Sequence, residues 1–156
     1  MKSRRVKKGE MLQKSGELRS RIYVVQSGLL RSYLIDEKGK EHIFMFAPEG
    51  WVIADNTGTE IPTTLFIDAL EDSIVQVREK DITKEHQNVT PLVKRLSVLQ
   101  KRVVMLMSSS AIDRYEDFIA TYPNIVQRVP QRMIASYLGI TPEALSKIKS
   151  GKLRNI

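Results

Sequence analysis

The segment PQRMIASYLGITPEALSKIK, residues 130 to 149, constrains the fold more than any other in this 156-residue chain. Ile134, Ala135 and Leu138 fall on one edge of a short helix; Gly139 and Ile140 follow, and Leu145 and Ile148 supply the inner edge of a second helix. Two helices that cross steeply need a small residue where they touch, and Ala135 is placed for it. Gly139 supplies the backbone freedom, a positive φ included, that a tight turn between helices demands. Thr141 has the chemistry of an N-cap, Pro142 stands at the first helical position and Glu143 in the first turn, so the second helix is predicted to begin at Pro142. The pattern is that of a helix-turn-helix. An ordinary helical hairpin with a solvated outer face shares the spacing.

Charge distinguishes the two. The outward positions of the second helix are Pro142, Glu143, Ser146, Lys147 and Lys149, polar or basic except for the proline, and suited to base edges and phosphates. Residues 128 to 156 hold six basic side chains, among them Arg128, Arg132, Lys147 and Lys149, against the single acid Glu143. Residues 51 to 127 hold eight basic and eleven acidic ones. The basic excess beside the motif is therefore local, as phosphate neutralisation and counterion release require. Residues 1 to 50 are basic too, but their cluster Lys2, Arg4, Arg5, Lys7 and Lys8 reads as a solvated, frayed terminus.

Composition removes several classes of chemistry. The chain has no cysteine, which excludes disulfides, thiolate metal sites and cysteine-held iron–sulfur clusters. No apolar run approaches the roughly 18 residues that span a bilayer, and no apolar signal core follows the basic start, so a soluble cytoplasmic protein is expected. His42 and His86 lie far apart with no second histidine near either, which argues against a metal site or a cupin-type enzyme. A phosphate-cradling glycine loop and a serine-centred elbow are also missing. Neither a catalytic residue nor a metal ligand is expected.

Upstream the pattern changes twice. Residues 6 to 78 are β-rich runs punctuated by turn residues: RIYVVQ, GLLRSYLID, KEHIFMFAP, GWVIAD, TTLFIDAL and SIVQVR, with Asp36 to Gly39 as a hairpin turn. From about Pro91 a helical period takes over. Leu92, Leu96, Leu99, Val103 and Leu106 step by the 4 and 3 of a coiled-coil seam, which pairs either with a second copy or with the chain's own barrel. Ser108, Ser109 and Ser110 then interrupt the stripe, as a hinge or as an exposed helical face. A second helix from Ala111 to Tyr122 places Ile112, Tyr115, Phe118 and Ile119 at core spacing. The fold class expected is α+β: a small β-barrel or sandwich, a long helix with one apolar stripe and a C-terminal helix-turn-helix, the first two becoming an antiparallel β-roll and a dimerisation helix under the resemblance that follows.

This order of parts, together with VKKGEMLQKSGE, IYVVQSGLLRSYLIDEKGKEHIFMFAPEGW and IASYLGITPEALSKIK, resembles the Crp-Fnr family of bacterial transcription regulators, and the last two segments look like its Bacteroidetes-type branch. The resemblance implies a β-roll sensor over 1–90, a dimerisation helix and hinge over 91–110 and a DNA-binding domain over 111–156. It implies a dimer that reads a pseudo-palindromic operator, with the family's base-reading positions on Pro142, Glu143, Ser146 and Lys147. Its implied partners are double-stranded DNA, a second copy of the chain and RNA polymerase. Many members carry a helix ahead of the first strand; here the chain begins close to that strand, which implies either an open roll or a start codon set too far downstream. In members that bind cyclic nucleotides, a Gly-Glu pair takes the ribose hydroxyl and an Arg-Ser/Thr pair the cyclic phosphate. Those pairs fall here on Ala54-Asp55 and Thr63-Thr64. Asp55 can accept from a hydroxyl, but Thr63 brings no positive charge to a phosphate. Cyclic AMP binding by the usual mechanism is therefore not expected, no cofactor is expected, and the effector stays open. The alternative is a small-ligand sensory module whose C-terminal helices engage a protein partner.

Overall fold

The computed structural model describes residues 2–81 and 89–151. The chain divides into two compact units, Met1–His86 and Gln87–Ile156. His86, Lys152 and Arg154 lie outside the described residues, as does the side chain of Leu92.

The first unit is built from β1 (Lys2–Val6), β2 (Met11–Gln13), β3 (Arg21–Ser27), β4 (Leu30–Ile35), β5 (Glu41–Ala47), β6 (Val52–Ala54), β7 (Phe66–Ala69) and β8 (Ser73–Glu79). They form two four-stranded antiparallel sheets, in the orders β1-β8-β3-β6 and β2-β7-β4-β5. Alternation sends Tyr23 and Val25 of β3, with Val75 of β8, into one core shared with Val6, Leu30, Ile53 and Ile67. The expected hairpin turn is present: the Asp36 carboxylate accepts from the backbone N–H groups of Lys38 and Lys40, at 2.9 and 3.0 Å. Gly28 is dictated by space as well as by its φ of +90°, since a Cβ there would lie 2.7 Å from the carbonyl oxygen of Asp72.

The basic N-terminus corrects its reading as a frayed end. Lys2–Val6 is an edge strand paired residue by residue with β8, Val6 is buried, and Arg4 meets the Glu10 carboxylate at 2.6 Å. Charged side chains suit an edge strand, because they discourage further strand pairing there.

The second unit holds α1 (Val89–Ser108), α2 (Ala111–Thr121), a single 3-10 turn (Ile125–Gln127), α3 (Gln131–Leu138) and α4 (Pro142–Lys149). Ser110 caps α2 in a reciprocal box with Asp113: the serine hydroxyl accepts from the Asp113 N–H and the aspartate accepts from the Ser110 N–H, both at 3.2 Å. Phe118, Tyr122 and Tyr137 cluster with ring centroids 5.3 to 5.7 Å apart, against Ile125, Ile134, Leu138 and Leu145. Ile119 is not core, since burial of Phe118 turns its neighbour about 100° away and leaves it 39% exposed.

The stripe on α1 is divided rather than continuous. Leu99 and Leu106 are half-buried, whereas Leu96 is 66% and Val103 54% exposed. The exposed apolar line runs instead through Val89, Val93, Leu96, Val103 and Met107, the 4-3 heptad rhythm with Gln100 at the one polar position.

Candidate nucleic-acid interface and the β-roll pocket

The turn between α3 and α4 is set by local chemistry. Gly139 adopts the left-handed conformation at φ 65°, ψ 35°, and the next N–H, that of Ile140, donates back to the Ala135 carbonyl at 3.0 Å. This closes α3 with a glycine cap that satisfies carbonyls otherwise orphaned at a helix end. Two residues on, the Thr141 hydroxyl accepts from the Ala144 N–H at 3.1 Å and Pro142 opens α4, as the sequence predicts. Leu145 and Ile148 are buried against Ile134, Ala135 and Leu138. Thr141, Pro142, Glu143, Ser146, Lys147 and Lys149 are all exposed and share the outer arc of α4.

Of the two arginines expected near this face, Arg132 is exposed in the first turn of α3, while Arg128 is half-buried and already engaged. One residue that escaped the sequence reading is Arg114 of α2. Its guanidinium donates to the carbonyls of Leu106 in α1 (2.6 Å), Ser109 in the link (3.2 Å) and Leu138 at the end of α3 (3.1 Å). Three carbonyl ends that would otherwise stand unpaired converge on one fork of donors. Arg102 of α1 stacks on the Tyr137 ring, 4.0 Å from its centroid, and so ties α1 to α3.

In the β-roll the two expected pocket segments do meet, but they bind each other. The Asp55 carboxylate accepts from the N–H groups of Thr64 and Leu65, both at 2.8 Å, from the N–H of Thr57 at 3.2 Å and from the Thr64 hydroxyl at 3.3 Å. Burial pushes its pKa up, yet these donors outweigh it and hold the carboxyl below the usual carboxylate range. Thr63 is buried and its hydroxyl donates to the Lys14 carbonyl at 2.7 Å. Ala54 is buried and Thr64 exposed. Gln13, 3% exposed, donates to the Leu65 carbonyl and leaves its own side-chain oxygen buried without a partner among the described residues. His42 meets Asp36 at 2.8 Å and is occupied by the hairpin turn.

A buried ion pair lies in the second sheet. Arg31 of β4 and Asp68 of β7 are register partners, 6% and 8% exposed, joined by two bonds of 2.8 and 3.0 Å; Glu41 takes a third at 2.6 Å. Burial alone would lower the arginine pKa, but the two carboxylates raise it far above its ordinary value. The guanidinium also covers the Tyr33 ring, which stacks on Phe66. Nothing local in the sequence marks this pair, whose members stand 37 residues apart.

The fold and these two sites define a class: a β-roll of the cyclic nucleotide-binding kind in a chain that also carries a helix-turn-helix. The cyclic nucleotide-binding domain family matches residues 3–84, more than half of the chain. Curated relatives include an anaerobic regulatory protein of Haemophilus influenzae, 26% identical over 92% of this chain. Another is a fumarate and nitrate reduction regulatory protein of Vibrio cholerae, 28% identical over 92%. The chain spans 63% and 65% of the length of these two proteins. Among solved structures, FixK2 from Bradyrhizobium japonicum superposes with a TM-score of 0.78 at 21% identity, covering 98% of this chain and 84% of that one. A Crp/Fnr-family transcriptional regulator of Thermus thermophilus superposes at 0.75 and 17% identity, covering 98% and 86%. The chain belongs to the cyclic nucleotide-binding domain family, and its fold is that of the Crp/Fnr-family regulator of Thermus thermophilus.

Proposed function

We propose that this chain is a dimeric, sequence-specific DNA-binding transcription regulator that enters the major groove with α4. The observation that carries the reading is the two-sidedness of α4: Leu145 and Ile148 are buried, while Glu143, Ser146, Lys147 and Lys149 stand exposed on one arc behind a fixed N-cap. Glu143 accepts from a cytosine amino group, and Lys147 donates to guanine or to a phosphate. Arg132 and Lys149 neutralise flanking phosphates. The exposed line on α1 pairs with its copy, which sets two α4 helices about one DNA turn apart, roughly 34 Å, on a pseudo-palindromic site. RNA polymerase is the further partner of such a regulator.

The regulator acts without cyclic AMP bound in the usual manner. Asp55 has its lone pairs taken up by its own loop, Thr63 offers no cation, and its hydroxyl is engaged by Lys14. The residues at these two positions therefore do not fit the ribose and phosphate of a cyclic nucleotide held in the usual manner.

The test is selection of bound fragments from the source genome with wild type and with Glu143→Ala/Lys147→Ala, at several salt concentrations. A two-fold-symmetric motif that the variant loses or relaxes supports base readout. Absence of any salt-sensitive binding to duplex DNA would overturn the reading in favour of a protein partner for the C-terminal helices.

A further inference from the structure

The β-roll carries a cleft of about 270 Å³ where β3 begins and β8 ends. Arg21 and Glu79 face each other across those two strands, two register steps beyond the core pair Tyr23 and Val77 and so on the same face of the sheet. The loop that follows Asp55 supplies Thr59 and Glu60 from the other side, and Arg19 completes the rim.

The walls are held in place. The Lys80 ammonium donates to the carbonyls of Asp55 and Thr57, and the Ser20 hydroxyl donates to the same Thr57 carbonyl at 3.3 Å. The Arg19 N–H donates to the Thr59 carbonyl at 2.8 Å. Arg19 stands at φ +61°, and no other non-glycine described residue has a positive φ. A bulky L residue kept in that region is held there by its surroundings.

The charges around the cleft are not consumed by the fold. Among the described residues, the side chains of Arg19, Arg21, Glu60 and Glu79 make no hydrogen bond or ion pair, although Arg21 and Glu79 are register partners. Two guanidinium forks and two carboxylates therefore surround one small space. A free anion would meet two carboxylates there, and a free cation two guanidiniums. A molecule carrying both signs satisfies each, since the arginine forks match a carboxylate and the glutamates match an ammonium. The volume lies below the roughly 300–1,000 Å³ of sites for drug-sized ligands, which limits the occupant to a small metabolite. We propose that this cleft binds a small zwitterion of the α-amino acid class, with its carboxylate on Arg19 and Arg21 and its ammonium on Glu60 and Glu79. The site is separate from the Asp55–Thr64 pocket and independent of the DNA-binding reading.

The test is thermal shift followed by calorimetry on the full chain, with each of the twenty common amino acids and with inorganic phosphate as probes. One or a few amino acids should bind saturably. Arg21→Gln and Glu79→Gln should each weaken that binding about tenfold or more, the loss expected for one charge-assisted bond. The methyl ester and the deaminated acid of the same amino acid test wild type directly, whatever the variants do to folding. Each should bind about tenfold more weakly. If phosphate binds more tightly than any amino acid and Glu79→Gln strengthens it, the site is an anion site and the proposal falls. If no amino acid binds wild type at millimolar concentration, it falls as well.

Discussion

The Arg114 guanidinium lies 3.1 Å from the Leu138 carbonyl, one residue before the turn of the helix-turn-helix, while its other nitrogens hold the end of α1 and the serine link. The residues expected to act as a hinge are thus bolted to the helix-turn-helix by one side chain. Arg114→Lys keeps the charge but replaces a planar fork with a single point donor. Its expected effects are a loss of about 1–3 kcal/mol in the C-terminal unit and a drop in operator affinity larger than the drop in non-specific affinity. Urea unfolding and binding titrations on both kinds of DNA measure the two effects; equal loss on both DNAs would show that Arg114 does not orient the head.

For Arg31 and Asp68 the outcome depends on whether one partner or both are removed. Asp68→Ala leaves a buried guanidinium with only Glu41 and should cost about 3–5 kcal/mol. The double change Arg31→Met/Asp68→Leu should recover most of that loss, because an apolar pair leaves no charge uncompensated. Chemical denaturation of the single and double variants gives the comparison.

Two glycines should respond differently to alanine. Gly139→Ala meets only ordinary contacts, with Leu106 Cδ2 at 3.6 Å, so its cost is the left-handed backbone alone, about 1–2 kcal/mol. Gly28→Ala adds a backbone collision with Asp72 and Ser73 and should cost more. Thermal unfolding of both variants would establish the order.

The exposed line on α1 predicts oligomeric state. Leu96→Glu/Val103→Glu places like charges along the seam and should yield monomers by light scattering at micromolar concentration. Gln100→Leu should keep the association but relax its register, since a single polar seam position specifies pairing at some cost in stability. A dimer that survives the double glutamate change would move the interface off this line.

Asp55 gives a pH signature. Its folded pKa is depressed below the ordinary 3.8, so its stabilisation is present above about pH 4 and is lost as the pH falls through the lower folded value. Asp55→Asn should reduce stability at neutral pH and flatten the acid limb of the curve, read by denaturant unfolding between pH 2 and 7. His42 lies across from a second depressed carboxylate, Asp36, which is partly exposed in a surface turn and contributes far less.

Local chemistry between neighbouring residues writes part of this fold directly into the chain. The Gly139 turn, the Thr141 cap with Pro142, the buried edge of Leu145 and Ile148, and the six strands from Arg21 to Glu79 all follow from φ preferences, capping and side-chain period. The first two strands escaped because β2 has three residues and β1 is an edge strand whose charges mask its pattern. The remaining contacts join segments distant in the chain. Arg31 finds Asp68 through sheet register, Asp55 is consumed by a loop that folds back ten residues later, and Arg114 reaches carbonyls in α1 and α3. The heptad on α1 was legible as a period but not as a face, since Leu99 and Leu106 are half-buried while Leu96 and Val103 stand outside. A period fixes which residues share a stripe; which neighbour buries that stripe is set by packing between segments distant in sequence.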